Sequence, residues 1–356
     1  MPAAKEPLFF IHIPKTAGTS FREAAIKRWG NAKVCSDYGD SRHSSATVRT
    51  LVHQQQDYFA FQNHLRAKRI RMLSAHAPVK FYRRIFNATQ LVTFLREPVE
   101  RTISHYYTAC SKQGFTGSFE TFCNIAEHQN VQSRYLEQMP LEALGFIGLT
   151  EHYAESVNIF NKSFAEKLRV LSLNQYAGPK ADGKSALSDS ELACVRAINT
   201  EDTALYHVAR DIFNTRLQLY QENKPYTHGK IQRLTSKRIE GWALNAGEQQ
   251  ATGIEILVNG QPVAEKTAST YVATMKERNI GRSGYVGFVH TFHEALNADD
   301  IVQVRVRQSG QLLRGPGKPA NATNETQTEE LPETASRQNE NKQPKLSLVT
   351  RKRKTG

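Results

Sequence analysis

Residues 8–20, LFFIHIPKTAGTS, constrain this chain more than any other stretch. The apolar run 8–13 reads as a buried strand, and a short loop leads from it into a helix over residues 21–29. Strand, loop and helix N-terminus in succession make an anion site, because loop N–H groups and the positive end of the helix dipole aim at one place. Gly18 lets backbone approach a bulky oxyanion, Lys15 adds a point charge, and Thr19 and Ser20 add hydroxyl donors. The loop is not a Walker A motif. GxxxxGK[ST] carries its lysine after the second glycine, whereas Lys15 lies three residues before the only glycine here. That weakens a nucleotide-kinase or ATPase reading. Taken alone, the segment also reads as a plain turn between strand and helix.

A second apolar strand, residues 91–95, ends at Arg96-Glu97-Pro98. Pro98 suits a first helical position and starts a helix to about residue 109. Arg96 therefore stands at the carboxyl end of a strand, where open α/β sheets take their ligands, and Ser104 follows in the second turn of the helix. Taken singly, an arginine in a surface ion pair and a capping or solvated serine are common. Between the two strands, residues 31–50 read as polar loop and 48–62 as helical. A basic cluster holds Arg66, Lys68, Arg69 and Arg71. His76 lies two residues before Pro78, on a strand end or loop. Lys80, Arg83 and Arg84 follow, interleaved with Phe81 and Tyr82.

Further strands are expected at 146–149 and 168–173. Helices are expected at 118–127, at 151 to about 167 with Thr150 as its N-cap, at 189–199 and at 201–222, with a loop at 177–185. Strands alternating with helices imply a parallel α/β sheet for a domain over residues 1–222. Composition changes in a linker at 223–229. Residues 230–313 then show short alternating runs, with Asn259-Gly260 as the strongest hairpin signal, and predict a small all-β module of sandwich type. Residues 314–356 are polar, end in a basic run at 351–354, and read as a disordered tail.

The formal net charge is +13, from 47 basic and 34 acidic residues. That suits an anionic partner such as a nucleotide, an acidic glycan or a nucleic acid. Nucleic acid is the least favoured, because no recognised motif accompanies the charge. No apolar run reaches the length of a transmembrane helix, and the first strand begins too early for a signal peptide, so a cytoplasmic protein is expected. The four cysteines are far apart with no CxxC pair, which argues against zinc and against a disulfide framework. No metal is expected.

The loop, the histidine segment and the Arg96–Ser104 helix together resemble the carbohydrate sulfotransferase family that includes heparan sulfate 2-O-sulfotransferases and their bacterial relatives. HIPKTAGTS (12–20) resembles the family's 5′-phosphosulfate loop, LREPVERTISHYY (95–107) its 3′-phosphate motif, and AHAPVKF (75–81) its histidine-bearing segment. NVQSRYL (130–136), FIGLTEHYAESVNIF (146–160) and DTALYHVARDIF (202–213) are fainter echoes.

The resemblance implies an α/β fold with a P-loop-like site and 3′-phosphoadenosine 5′-phosphosulfate as donor. It places Lys15, Thr16, Ala17, Gly18, Thr19 and Ser20 on the 5′ side, and Arg96 and Ser104 on the 3′-phosphate. It puts Lys15 at the leaving phosphate and His76 in the place of the general base. The acceptor is a carbohydrate hydroxyl. Arg66, Lys80, Arg83 and Arg84 are candidates for receiving an acidic glycan, or else are exposed surface. Eukaryotic members carry a membrane anchor, which points here to the bacterial type. The competing readings are a non-catalytic glycan-binding protein led by the β module and a nucleotide or sugar kinase.

Overall fold

The computed structural model describes residues 6–137, 139–171, 187–247 and 249–319. The expected loop at 177–185 and most of the expected tail lie outside them.

Five short strands form one all-parallel sheet in the order β2-β3-β1-β4-β5: β1 (Leu8–Ile11), β2 (Val34–Asp37), β3 (Met72–Ala75), β4 (Leu91–Leu95) and β5 (Phe146–Leu149). Phe10 of β1 pairs with Ser74 on one side and Val92 on the other. Every residue of the five strands is buried, as a sheet covered on both faces requires. On one face Phe10 meets Phe94 of β4 and Phe21 of helix α1 (Gly18–Trp29), while Phe9 meets Tyr82 and Phe86 on the other. From β1 the chain crosses through α1 toward β2. From β4 it crosses the opposite way, toward β5. The crevice between the carboxyl ends of β1 and β4 is thus a topological switch point.

Several expected elements differ. β2 lies inside the stretch read as polar loop, since only Val34 and Cys35 of its four residues are apolar. Residues 48–62 split into a π-helical turn, Val48–Gln54, and helix α2, Tyr58–Ala67, whose start is capped by the Asp57 side chain accepting from Ala60 N. Helix α3 (Pro98–Thr108) starts at Pro98 as expected, capped by Glu97. The 118–127 helix is only α4 (Phe119–Cys123) plus a 3-10 turn at Ala126–His128, and α5 (Val131–Leu136) follows. Thr150 is not a cap. Its hydroxyl donates to the Leu95 carbonyl at 3.0 Å, and helix α6 (Tyr153–Ser163) begins after His152. Residues 168–171 form no strand. Helices α7 (Asp189–Ala197) and α8 (Thr200–Gln221) complete the layer. α7 packs Cys194 into one small apolar cluster with Cys123 of α4, although the two thiols are distant in sequence.

The remaining strands are antiparallel. β6 (His228–Leu234) begins inside the expected linker and pairs with β7 (Arg238–Leu244). β8 (Thr252–Val258) and β9 (Gln261–Ala268) form a hairpin through Asn259-Gly260, both with positive φ (51° and 79°), the turn geometry that this dipeptide favours. β10 (Thr270–Tyr271), helix α9 (Ala273–Glu277), β11 (Tyr285–Thr291) and β12 (Val302–Val306) follow. Two sheets result, β10-β11-β7-β6 and β12-β8-β9, and Ile239 and Phe288 of the first share an apolar cluster with Ile254, Ile256 and Val304 of the second.

Trp242 and Leu244, on the other face of β7, pack on the parallel domain, and with Met275, Ile280 and Val286 they belong to the same core as Phe9 and Phe94. Backbone pairing reinforces the contact, since Ala88 N donates to the Asn279 carbonyl. Arg314 joins in, with its guanidinium on the Val208 carbonyl and its own carbonyl accepting from Ile231 N.

Candidate functional site

The loop after β1 is held in an unusual backbone shape. Lys15 and Ala17 both lie in the left-handed region, at φ 73° and 63°. Such residues cost on the order of 1–2 kcal/mol each and cluster at ligand sites, where curled backbone makes an anion-binding concavity. The buried Thr16 closes the turn by donating to the Ile13 carbonyl at 3.0 Å. Helix α1 starts at Gly18, earlier than expected, so Thr19 and Ser20 sit in its first turn. Gly18 has a further reason to lack a side chain. A Cβ there would fall inside the His12 imidazole, which packs beneath the helix start.

Lys15 reaches across the switch-point crevice. Its ammonium donates to Thr108 Oγ1 at 2.7 Å, and the Thr108 hydroxyl donates to the Ser104 carbonyl at 2.8 Å. The loop after β1 is thereby tied to the helix after β4, one turn beyond the buried Ser104. The Lys15 pKa is lowered, first by burial and then by the cations Lys112 and Arg96. Its partner is a hydroxyl rather than a carboxylate, so the crevice concentrates positive charge that a bound anion would relieve.

Arg96 is held from behind. The fully buried Gln132 of α5 clamps its backbone, accepting from Arg96 N and donating to Arg96 O, both at 2.9 Å. Gln132 is fixed in turn by Asp202 of α8. That carboxylate accepts from Gln132 N at 3.0 Å and from Ser133 N and Ser133 Oγ, each at 2.7 Å. The Arg96 guanidinium donates to the exposed Glu100, at 3.3 Å. Behind α3 the fully buried Arg101 donates to Thr102 Oγ1 and the His128 carbonyl, and burial brings its pKa down to about 10.

His76 lies one residue past β3, and its backbone N–H donates to the Asp37 carbonyl at 3.0 Å. Its ring packs 4.0 Å from that of His12 and 4.8 Å from Tyr38. Burial pushes its pKa down to about 4, with Asp37 opposing the shift and Arg22 adding to it. His12 is pushed well below its ordinary value by burial, then by His76 and Arg22. Both imidazoles are therefore neutral at neutral pH. The buried Asp37 side chain organises this end of the sheet: Oδ1 accepts from Gly39 N at 2.9 Å and lies 2.7 Å from His53 Nε2, while Oδ2 accepts from Tyr82 OH at 2.6 Å.

The other cations named from sequence divide into two groups. Lys80 stays near His76, paired with Glu137 at 2.9 Å, and half-buried Arg83 follows it. Arg66 and Arg84 lie at the opposite end of the strands, where β1 and β4 begin. Sequence reading did not single out Asp37, Gln132, Asp202, Thr108 or Lys112. Gln132 and Asp202 fall in two segments noted only for resemblance, and Asp37 ends a strand too short to show a period.

Residues 2–171 match a family model described as the sulfotransferase family. No curated protein shows a significant match to the chain.

Proposed function

We propose that this enzyme, a sulfotransferase by that match, moves a sulfuryl group from 3′-phosphoadenosine 5′-phosphosulfate to a hydroxyl of a carbohydrate. The observation that carries this reading is the Lys15–Thr108 link. It joins the loop after β1 to the helix after β4 and puts Lys15, Ser104 and Arg96 around one cation-rich crevice. Residues 15–20 then form a P-loop-like seat for the 5′ side, with backbone N–H groups and the Thr19 and Ser20 hydroxyls as donors, while the Thr16 hydroxyl holds the turn. Arg96 and Ser104 hold the 3′-phosphate. The Gln132–Asp202 support fixes the Arg96 backbone so that its guanidinium is preorganised.

Sulfuryl transfer, like phosphoryl transfer, depends on positioning and on stabilising charge at the leaving oxygen. Lys15 supplies a cation there, and its depressed pKa makes it ready to donate. His76 takes the acceptor hydroxyl's proton. Burial keeps its imidazole unprotonated at neutral pH, and the nearby Asp37 favours the imidazolium once it forms.

The reading extends to the chain's organisation: a sulfotransferase domain over 1–222, a sandwich-type β module over 230–313 and a basic tail, of a type similar to the bacterial relatives. Four free thiols suit a reducing, cytoplasmic setting. No helix among the described residues is long and apolar enough to cross a membrane.

The test is transfer from labelled donor to a panel of saccharides. Lys15→Ala and His76→Ala are expected to abolish transfer while near-UV circular dichroism is unchanged. Full activity in both variants overturns the assignment.

A further inference from the structure

At the amino ends of β1 and β4, remote from Lys15, a cleft of about 380 Å³ opens between four segments. Its walls come from α2 (Gln62 and Arg66), from Arg84 and Gln90 ahead of β4, from Pro7 ahead of β1, and from Asn279 of the β module. Hydrogen bonds pin each wall. Gln62 Nε2 donates to the Ile85 carbonyl at 3.1 Å, Gln90 Nε2 to the Pro7 carbonyl at 2.7 Å, and Asn279 Nδ2 to the Phe86 carbonyl at 2.9 Å. The cleft is therefore built jointly by the two parts of the chain, at the kind of junction where ligand sites concentrate, and its size falls in the lower part of the usual range of about 300–1,000 Å³.

Two guanidinium groups, Arg66 and Arg84, line it. The described ion pairs of the protein include neither, whereas Lys80 and Arg96 nearer the catalytic crevice each have a carboxylate partner. Glu6 at the rim is the one acidic lining residue. Planar forks of this kind bind carboxylate and sulfate in pairs of hydrogen bonds, and the side-chain amides suit sugar hydroxyls.

The geometry points to this cleft as a second saccharide site, which takes a carboxylate- or sulfate-bearing sugar of the acceptor chain while another sugar of the same chain lies at His76. It rests on the proposed carbohydrate acceptor. From Pro7, before β1, to Ile13, before the curled loop, the backbone spans roughly 20 Å. A long acidic glycan can therefore engage both ends of the sheet, and a disaccharide cannot. Engagement at both ends raises the local concentration of acceptor at His76 without any new contact there.

The test is equilibrium binding of a fluorescently labelled octagalacturonide to the full chain at physiological ionic strength. Arg66→Gln with Arg84→Gln is expected to weaken binding about tenfold or more. Lys27→Gln with Arg28→Gln, which removes the same charge from the exposed end of α1, is expected to change it less than about twofold. Equal losses in the two double variants overturn the site, as does competition by neutral maltooctaose that matches unlabelled octagalacturonide. Displacement by inorganic sulfate as effective, mole for mole, also overturns it, leaving a bare oxyanion site. Calorimetry with 3′-phosphoadenosine 5′-phosphate reads the catalytic end separately. Failure of the wild-type protein to bind that nucleotide defeats the proposed donor alone, while octagalacturonide binding still decides for or against the cleft.

Discussion

Replacing Gly18 with alanine tests whether the loop, His12 and His76 act as one packed unit. The added Cβ falls inside the His12 imidazole, against Cδ2 and Nε2. Ordinary contact requires the ring to retreat by roughly 1 Å or more, and the ring has little room. His12 is only 4% exposed, stacks on Phe10 with centroids 5.3 Å apart, and lies 4.0 Å from the His76 ring. Overpacking of this kind costs about 1–3 kcal/mol. Displacement of His76 by a comparable distance is expected to cost roughly 100-fold in rate, because the proposed proton transfer depends on its placement. Urea unfolding reads the first quantity and initial rates of sulfuryl transfer the second. Removing the ring should remove the conflict: in a His12→Ala background, Gly18→Ala is expected to cost less than about 0.5 kcal/mol. Wild-type stability and rate in the single variant would show that the three do not move together. So would an undiminished cost of Gly18→Ala when the His12 ring is absent.

Asp202→Ala strips three donors of their shared buried acceptor and is expected to destabilise by about 3–5 kcal/mol. It should also weaken binding of 3′-phosphoadenosine 5′-phosphate in calorimetry, and unchanged nucleotide affinity would show that the Gln132 clamp does not support Arg96. Arg96→Ala is expected to weaken the same affinity by about tenfold or more with little loss of stability, as thermal unfolding would show. Among the histidines that burial holds below their ordinary pKa, four are shifted furthest: His76 to about 4, His105 and His228 to about 3, and His12 to well below its usual value. The unfolded chain takes up protons from about pH 6.5 downward while the fold refuses them, so stability is complete above that pH. It falls toward pH 4 by roughly 1.4 kcal/mol per pH unit for each histidine, and a flat profile in urea titrations would contradict the burial of these rings. Trp242→Ala, in β7, is expected to cost about 3–5 kcal/mol and to lower one cooperative transition for the whole chain. Two transitions, the first unmoved, would show that the parallel domain is indifferent to the module.

The parallel α/β class and both segments that flank the crevice were legible because β1 and β4 are continuous apolar runs, each followed by a loop with its own chemistry. Residues 259–260 announced their hairpin because Asn-Gly tolerates two successive positive φ values. β2 was not legible: four residues with two apolar side chains carry no period, so Asp37 went unnoticed at its end. Thr150 looked like a cap on local grounds, but the Leu95 carbonyl at the end of the neighbouring strand claimed its hydroxyl. Support for the site came from still farther away. Neither Gln132 nor Asp202 signals a role locally, because what they do depends on α5 and α8 meeting behind Arg96. The two basic clusters between 66 and 84 were both candidates for one acidic glycan, and folding sent Arg66 and Arg84 to the amino end of the strands and kept Lys80 toward the other end.

The placement of Trp242, Met275, Ile280 and Val286 in the core of the parallel domain bears on how the chain is made. Synthesis completes the last helix of that domain at residue 221, well before these side chains exist. At about 5–20 residues per second the delay is roughly 3–13 s, long compared with the time in which small domains collapse. During it a nascent chain carries an open apolar seat. The β module thus acts as the late-arriving lid of a vessel already formed, and stalled or truncated synthesis should hand the unfinished product to chaperones and proteases. The same dependence restricts how such a module could be exchanged in evolution: a replacement must bring the plug for the seat as well as its own fold.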